Sequence, residues 1–191
     1  MDRARRGRLI VVSAPSGAGK TTIARALLER FPGMAFSVSA TTRGPRAGET
    51  DGRDYFFLTR EDFRNRVAAG EFVEWEEIYG DFYGTLRREV DRAGREGRDL
   101  LFDVDVKGGL SIKRAYPDAV LIFIRPPSAE ILLERLRSRK TEDNETVLRR
   151  MERVPLELEL GQRFDHAIVN DVLERAVAEA QELVANHLRE S

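Results

Sequence analysis

Apolar and polar positions along this chain switch between two periods, and the switches mark its elements. Leu9-Ile10-Val11-Val12 is a continuous, β-branched apolar run, which predicts a strand buried on both faces. A loop of small residues follows. Ile23-Ala24-Arg25-Ala26-Leu27-Leu28 then takes helical spacing, ending near Phe31-Pro32-Gly33. Ala35 to Ser39 alternates as a short strand, and Tyr55-Phe56-Phe57-Leu58 predicts another. Thr59 is placed to cap a helix over Arg60 to Ala69, with Glu61 and Asp62 in the first turn, where the helix dipole favours carboxylates. Phe72 to Tyr79 alternates weakly and is acidic. Gly80 to Thr85 reads as a turn leading into a helix over Leu86 to Arg95.

In the second half, Asp99 to Val106 reads as an apolar strand ending in two carboxylates, Asp103 and Asp105, whose spacing on a strand points both to one side. Lys107-Gly108-Gly109 reads as a turn into a helix through Ile112 and Ala115, stopped by Pro117. Ala119 to Ile124 predicts a fully buried strand broken by Pro126-Pro127, and Ser128 caps a helix carrying Ile131, Leu132, Leu133 and Leu136. Arg135 to Met151 is dense in arginine, with a polar break at Lys140 to Glu145 between two helical pieces. Val154 to Phe164 continues as a helix. His166 to Asn170 is the last strand. Asp171 caps a closing helix whose Val172, Leu173, Ala176, Val177, Ala180, Leu183 and Val184 form a core-facing stripe. His166 and His187 are expected to be structural or exposed, and Trp75 to pack. Strands alternating with helices predict an α/β fold with a parallel core sheet.

Composition narrows the partners. At 191 residues the chain suits one domain with room for inserted subdomains. A net charge of −1 argues against general electrostatic binding to nucleic acid or an anionic membrane, so positive charge that meets phosphate must be local. The absence of cysteine excludes disulfides, thiol catalysis and thiolate metal sites. No stretch approaches transmembrane length, and the apolar run at Leu9 is too short for a signal peptide, so a cytoplasmic location is expected. Met1 to Arg8 is basic and expected to fray.

The chemistry is concentrated in a few stretches. Ala14-Pro15-Ser16-Gly17-Ala18-Gly19-Lys20-Thr21-Thr22 lies between a strand and a helix, the context a phosphate-binding P-loop requires. Gly17 and Gly19 let successive N–H groups turn toward an anion at a helix N-terminus, Lys20 can reach the outer phosphates, and the Thr21 hydroxyl suits Mg²⁺. The first position of the pattern, usually glycine, is Ala14, which fits if its φ is not positive. Ala40 to Tyr55 is a polar, Gly-rich loop carrying Arg43, Arg46 and Arg53. Arg43 and Arg46 flank a Gly-Pro turn and could converge on one phosphate, to which a planar guanidinium bonds two oxygens at a time. A solvated basic loop would share this composition. In an open parallel sheet ligands bind at the carboxyl ends of the strands, which places Asp103 and Asp105 near the phosphates. The arginine-rich stretch has the composition of a mobile flap or of a charge-laced exposed helix pair.

Together these residues resemble the guanylate kinase family, from Leu9 to the final helix. The resemblance rests on the P-loop, on Ser37-Val38-Ser39-Ala40-Thr41-Thr42-Arg43-Gly44-Pro45-Arg46-Ala47-Gly48-Glu49 with Asp51-Gly52-Arg53-Asp54-Tyr55, on Glu71-Phe72-Val73-Glu74-Trp75, Tyr83-Gly84-Thr85 and Asp103-Val104-Asp105, and on Arg135 to Thr141. Lys140 departs from the glycine usual there. The resemblance implies a P-loop NTPase-type three-layer α/β fold over 7–188. Its core would be 7–38, 96–135 and 152–188, with an inserted GMP-binding subdomain at 39–95 and a helical lid at 136–151. It implies phosphoryl transfer from ATP to GMP or dGMP, for purine nucleotide recycling, with Mg²⁺ held by Thr21 and Asp103.

By the same resemblance, Ala14 to Thr22 hold ATP, with Asn170 near the adenine end. Arg43, Arg46, Tyr55 and Tyr83 hold the acceptor phosphate, with Glu49 orienting an arginine. Ser39, Glu74, Thr85 and Asp105 face guanine, and Lys20, Arg43, Arg139 and Arg150 cover the transferring phosphoryl group. Guanine offers N1–H and N2–H₂ as adjacent donors and O6 as acceptor. A carboxylate such as Glu74 can therefore accept from both nitrogens, and a hydroxyl can donate to O6. Two other readings share parts of the pattern. A non-catalytic guanylate-kinase-like module typically loses P-loop function, whereas Lys20 and Thr21 are present here. A kinase for sugar phosphates would not need Ser39, Glu74 and Thr85.

Overall fold

The computed structural model describes residues 7–138 and 144–189. β1 (Leu9–Ser13) is the central strand of a five-stranded parallel sheet. Its neighbours are β7 (Leu100–Asp103) and β8 (Val120–Arg125), with β2 (Ala35–Phe36) and β9 (His166–Val169) at the edges, in the order β2-β7-β1-β8-β9. Parallel strands need helical crossovers, so both faces of such a sheet are covered and its strands must be apolar throughout. Side chains alternate between the faces accordingly. Ile10, Val12, Ile122 and Ile124 pack with Ile23 and Leu27 of α1 (Lys20–Arg30), Leu132 and Leu136 of α5 (Ala129–Ser138), Val154 of α6 (Asn144–Gly161) and Val184 of α7 (Leu173–Arg189). On the other face Val11, Phe102, Leu121 and Phe123 pack with Ala93 of α3 (Arg87–Glu96) and Ile112 of α4 (Val106–Ala115). The result is the three-layer P-loop NTPase-type fold.

A second, mixed sheet has the order β4-β3-β6-β5, from β4 (Phe56–Phe57), β3 (Ala40–Thr41), β6 (Asp81–Leu86) and β5 (Phe72–Ile78). It has its own small core. Phe63 of α2 (Arg60–Ala68) stacks on Phe72 at 4.4 Å and on Phe82 at 5.4 Å between ring centroids. The Thr59 side chain accepts from Asp62 N at 3.0 Å, capping α2. Trp75 packs edge-on to Phe63 and Phe82.

Four local readings change. The alternation of Ala35 to Ser39 belongs to two sheets. β2 ends at Phe36, Ser37 N still donates to Leu101 O, and by Ser39 the backbone accepts from Phe56 N in the second sheet. Asp81 to Leu86, expected as a turn, is a strand, β6, which runs directly into the expected helix, α3, with Leu86 as its N-cap. The turn is Tyr79-Gly80, where φ is 53° and 84°, the positive values that match a tight hairpin to strand twist. The expected strand after Asp99 ends at Asp103, and Asp105 is the N-cap of α4, its carboxylate accepting from Gly108 N at 2.8 Å. The Gly108-Gly109 pair lies inside α4, and close packing accounts for the glycines: added Cβ atoms there would sit 2.9 Å from Asp105 Oδ1 and Glu74 Oε2, and 2.7 Å from Phe164 Cζ. His166 and His187 join β9 to α7 through a 3.0 Å Nε2···Nε2 contact. Arg8 is held on β7 through Asp99 and Leu100, while the expected fraying of Met1 to Arg6 concerns residues outside those described.

Candidate active site

At the carboxyl end of β1 the loop closes over itself, Ala18 N donating to Pro15 O at 3.0 Å. Gly17 and Gly19 have φ of 89° and 98°, the left-handed region that turns their neighbours' N–H groups inward. Ala14 is not among the residues with positive φ, so the alanine is accommodated. Asn170 lies under this loop rather than along the cleft. Its Nδ2 donates to Ala18 O at 2.8 Å, and a Cβ on Gly19 would stand 2.3 Å from that nitrogen. The residue that follows β9 therefore props the P-loop.

Lys20 Nζ stands 2.6 Å from Asp103 Oδ1 and donates to Val104 O at 3.0 Å. Burial pulls the Lys20 pKa down, but the charge and hydrogen bond of Asp103 outweigh it and leave the ammonium above its ordinary value. Thr21, in the first turn of α1, is exposed to the same cleft. Two hard oxygen groups beside a phosphate cradle fit Mg²⁺, which takes one or two protein ligands and fills its shell with phosphate and water. Among the described residues no cluster of three or more His, Asp or Glu forms an all-protein metal cage.

The cleft, about 360 Å³, runs from Pro15 to Thr22 across Asp103 and Asp105 to Ser39, Arg46, Tyr55, Glu74 and Tyr83. The two sheets thus bring together residues more than fifty positions apart in sequence. Arg43 does not line it. Its guanidinium is held by Glu49, Nη1 to Oε2 and Nη2 to Oε1 both at 2.9 Å, and lies over the rings of Tyr55 and Phe57. Glu49 also accepts from Arg46 N at 2.7 Å. The Arg43 hydrogen bond, then the Arg46 backbone, hold Glu49 below the usual carboxylate range.

Thr85 has no exposed surface, and its hydroxyl donates to Glu74 Oε1 at 2.6 Å. It therefore acts on Glu74 and does not face the cleft as expected. Ser39 is the expected base-facing hydroxyl that lines the cleft. Burial pushes the Glu74 carboxyl up to about 7 against that hydrogen bond.

Three charged cleft residues were not anticipated. Arg153 and Glu157 follow Arg150 on α6 at helical spacing, so the three share a face. Glu76 lies two residues from Glu74 on β5 and faces the same way. Burial lifts both Glu76 and Glu157 to about 7, with Asp105 adding to each. The periodicity of α6 and β5 was the available signal. Arg150 Nη1 donates to Ser16 Oγ at 3.1 Å, which brings the α6 end of the arginine-rich stretch onto the P-loop. Arg139 and Lys140 lie outside the described residues.

The fold and the cleft define a P-loop nucleotide-binding α/β protein with a second pocket wall supplied by an inserted sheet. The family model for guanylate kinase matches residues 6–187. The chain is 52% identical over 183 residues to a guanylate kinase of Chlorobium luteolum, covering 95% of this chain and 93% of that protein. It is 48% identical to one of Symbiobacterium thermophilum, covering 94% and 85%. The crystal structure of guanylate kinase from Anaplasma phagocytophilum superposes with a TM-score of 0.77 at 31% identity, covering 95% of this chain and 86% of that one. The chain belongs to the guanylate kinase family.

Proposed function

We propose that this chain transfers the γ-phosphoryl group of ATP to GMP or dGMP, giving ADP and GDP, in the cytoplasm. The observation that carries the reading is the single cleft joining the P-loop to Glu74. ATP phosphates are held by the backbone N–H groups of the loop and by Lys20, with the N-terminus of α1 favouring their charge. Arg46, Tyr55 and Tyr83 hold the acceptor phosphate, with Arg43 set by Glu49 to join them. Ser39, Glu74 and Asp105 read guanine, and Thr85 fixes Glu74. Adenine would set an acceptor where Glu74 needs a donor, and a buried unpaired carboxylate is the larger cost.

The acceptor phosphate is itself the nucleophile, so the chain needs no strong base. It aligns the two nucleotides end to end and surrounds the moving phosphoryl group with Lys20, Arg43, Arg139 and Arg150. Mg²⁺, held by Thr21 and Asp103, would neutralise charge on the ATP phosphates when bound. Residues 39–95 and 136–151 would act as the acceptor subdomain and lid around the core, excluding water on closure. Among the described residues no helix is long and apolar enough to cross a membrane.

An acceptor panel with ATP tests the reading: GMP and dGMP are phosphorylated, and AMP, CMP, UMP and sugar phosphates are poor acceptors. A panel in which GMP is no better than AMP overturns it.

A further inference from the structure

We propose that Arg153 is a positioning residue that fastens α6 to the acceptor face and orients Asp105 and Glu76 toward the acceptor nucleotide; the inference rests on reading this cleft as a GMP site. Its guanidinium sits among three carboxylates. Nη2 is 3.2 Å from Asp105 Oδ2 and 3.6 Å from Glu76 Oε1, and Nε is 3.5 Å from Glu157 Oε1. These side chains are mostly buried, with exposures of 23% for Arg153, 18% for Asp105 and Glu76, and 13% for Glu157. Carboxylates gathered in so dry a space repel one another unless a cation stands between them. Lys107 reaches Glu76 at 2.9 Å from the outer side, but Arg153 is the group that touches all three.

The contact fixes geometry as well as charge. Asp105 is held from two directions, Oδ1 by Gly108 N as the α4 cap and Oδ2 by Arg153. Removing the second leaves that carboxylate free to turn away from the cleft. The planar fork of arginine can serve separate carboxylates through Nη2 and Nε, which the single ammonium of lysine cannot do in the same geometry.

The place of Arg153 on α6 gives the arrangement its reach. One turn earlier, Arg150 bonds Ser16 of the P-loop. Tyr79, at the β5–β6 turn, donates from its hydroxyl to Arg149 O at 3.4 Å, and the Arg153 guanidinium lies 5.7 Å from the centre of its ring. One side of α6 therefore touches the donor cradle at Arg150 and the acceptor face at Arg153.

Steady-state kinetics of the full chain separate the two. Arg153→Gln raises KM for GMP about tenfold, the scale of one charged hydrogen bond, with KM for ATP within about twofold of wild type. Arg153→Lys recovers part of the loss, because charge remains and the fork does not. Arg153→Met keeps an apolar stem without the charge, carries the same expectation as R153Q, and serves if R153Q does not fold. An unchanged KM for GMP in a folded R153Q or R153M, or an equal rise in KM for ATP, overturns the proposal. Failure of wild type to prefer GMP in the acceptor panel overturns the reading of the cleft instead, so the two failures are distinct.

Discussion

The hydroxyl of Thr85 donates to Glu74 Oε1 at 2.6 Å, pinning a buried carboxylate at the acceptor end of the cleft. A carboxylate so held keeps its remaining lone pairs for a ligand with adjacent donors, the pattern guanine presents. Glu74→Gln replaces one acceptor with a donor at that point. The expected outcome is a rise in KM for GMP of roughly ten- to hundredfold with KM for ATP little changed. Equal kinetic constants for GMP in the variant and the wild type would remove Glu74 from base recognition.

The same burial makes acceptor binding depend on pH. Glu74 stands at about 7 in the folded protein against an ordinary value of 4.5. A raised carboxylate pKa means the folded state binds the extra proton. The stability this group contributes is therefore full below 4.5 and lost as pH rises through about 7. Guanine binding needs the charged form, so KM for GMP should climb as pH falls below about 7. Glu76 and Glu157 are lifted to about 7 as well, so the comparison with E74Q isolates Glu74. Profiles of KM and of melting temperature taken from about pH 8.5 to about 5.5 should be steeper for wild type than for E74Q. Parallel profiles would contradict this.

Lys20 is paired with Asp103 at 2.6 Å and, in the proposed complex, would meet the outer ATP phosphates. Lys20→Ala should cut turnover by about 10³-fold or more, the scale of a lost electrostatic contact to a transferring phosphoryl group. The fold should persist, because the side chain serves the cleft and not the core. A thermal melt and a turnover assay on one preparation check both halves, and near-normal turnover would refute the assignment.

Asn170 supports the P-loop through Ala18 O, and Gly19 fits against its amide. Asn170→Ala leaves a buried carbonyl without its donor, a loss of about 1–3 kcal/mol. Gly19→Ala would force the loop apart, since the new Cβ falls 2.3 Å from Nδ2 at a φ of 98°. Both variants should weaken ATP more than GMP in calorimetric titrations, G19A the more severely. A selective loss of GMP affinity would show that the loop is not what Asn170 supports.

How far the sequence reached can be judged at particular positions. The P-loop was legible because strand, glycine turn and helix are local, and their residue types answer to backbone geometry within ten or so positions. The α2 cap at Thr59 and the continuous run of β8 were legible for the same reason. β6 reads as a turn in the sequence because Gly80, Asp81 and Gly84 are turn residues, although the helix that follows it, α3, was legible. Phe72 to Ile78 makes it a strand by pairing across the hairpin.

By itself the sequence determined the elements whose causes are short-ranged: which stretches are apolar throughout and where glycine must turn the chain. Only the tertiary structure decided that Thr85 faces Glu74, that Asn170 lies under the P-loop, and that Arg153 stands among Glu76, Asp105 and Glu157. Those relations join different elements across the two sheets. Periodicity fixes which face of a helix or strand a side chain takes, but not which distant face is packed against it.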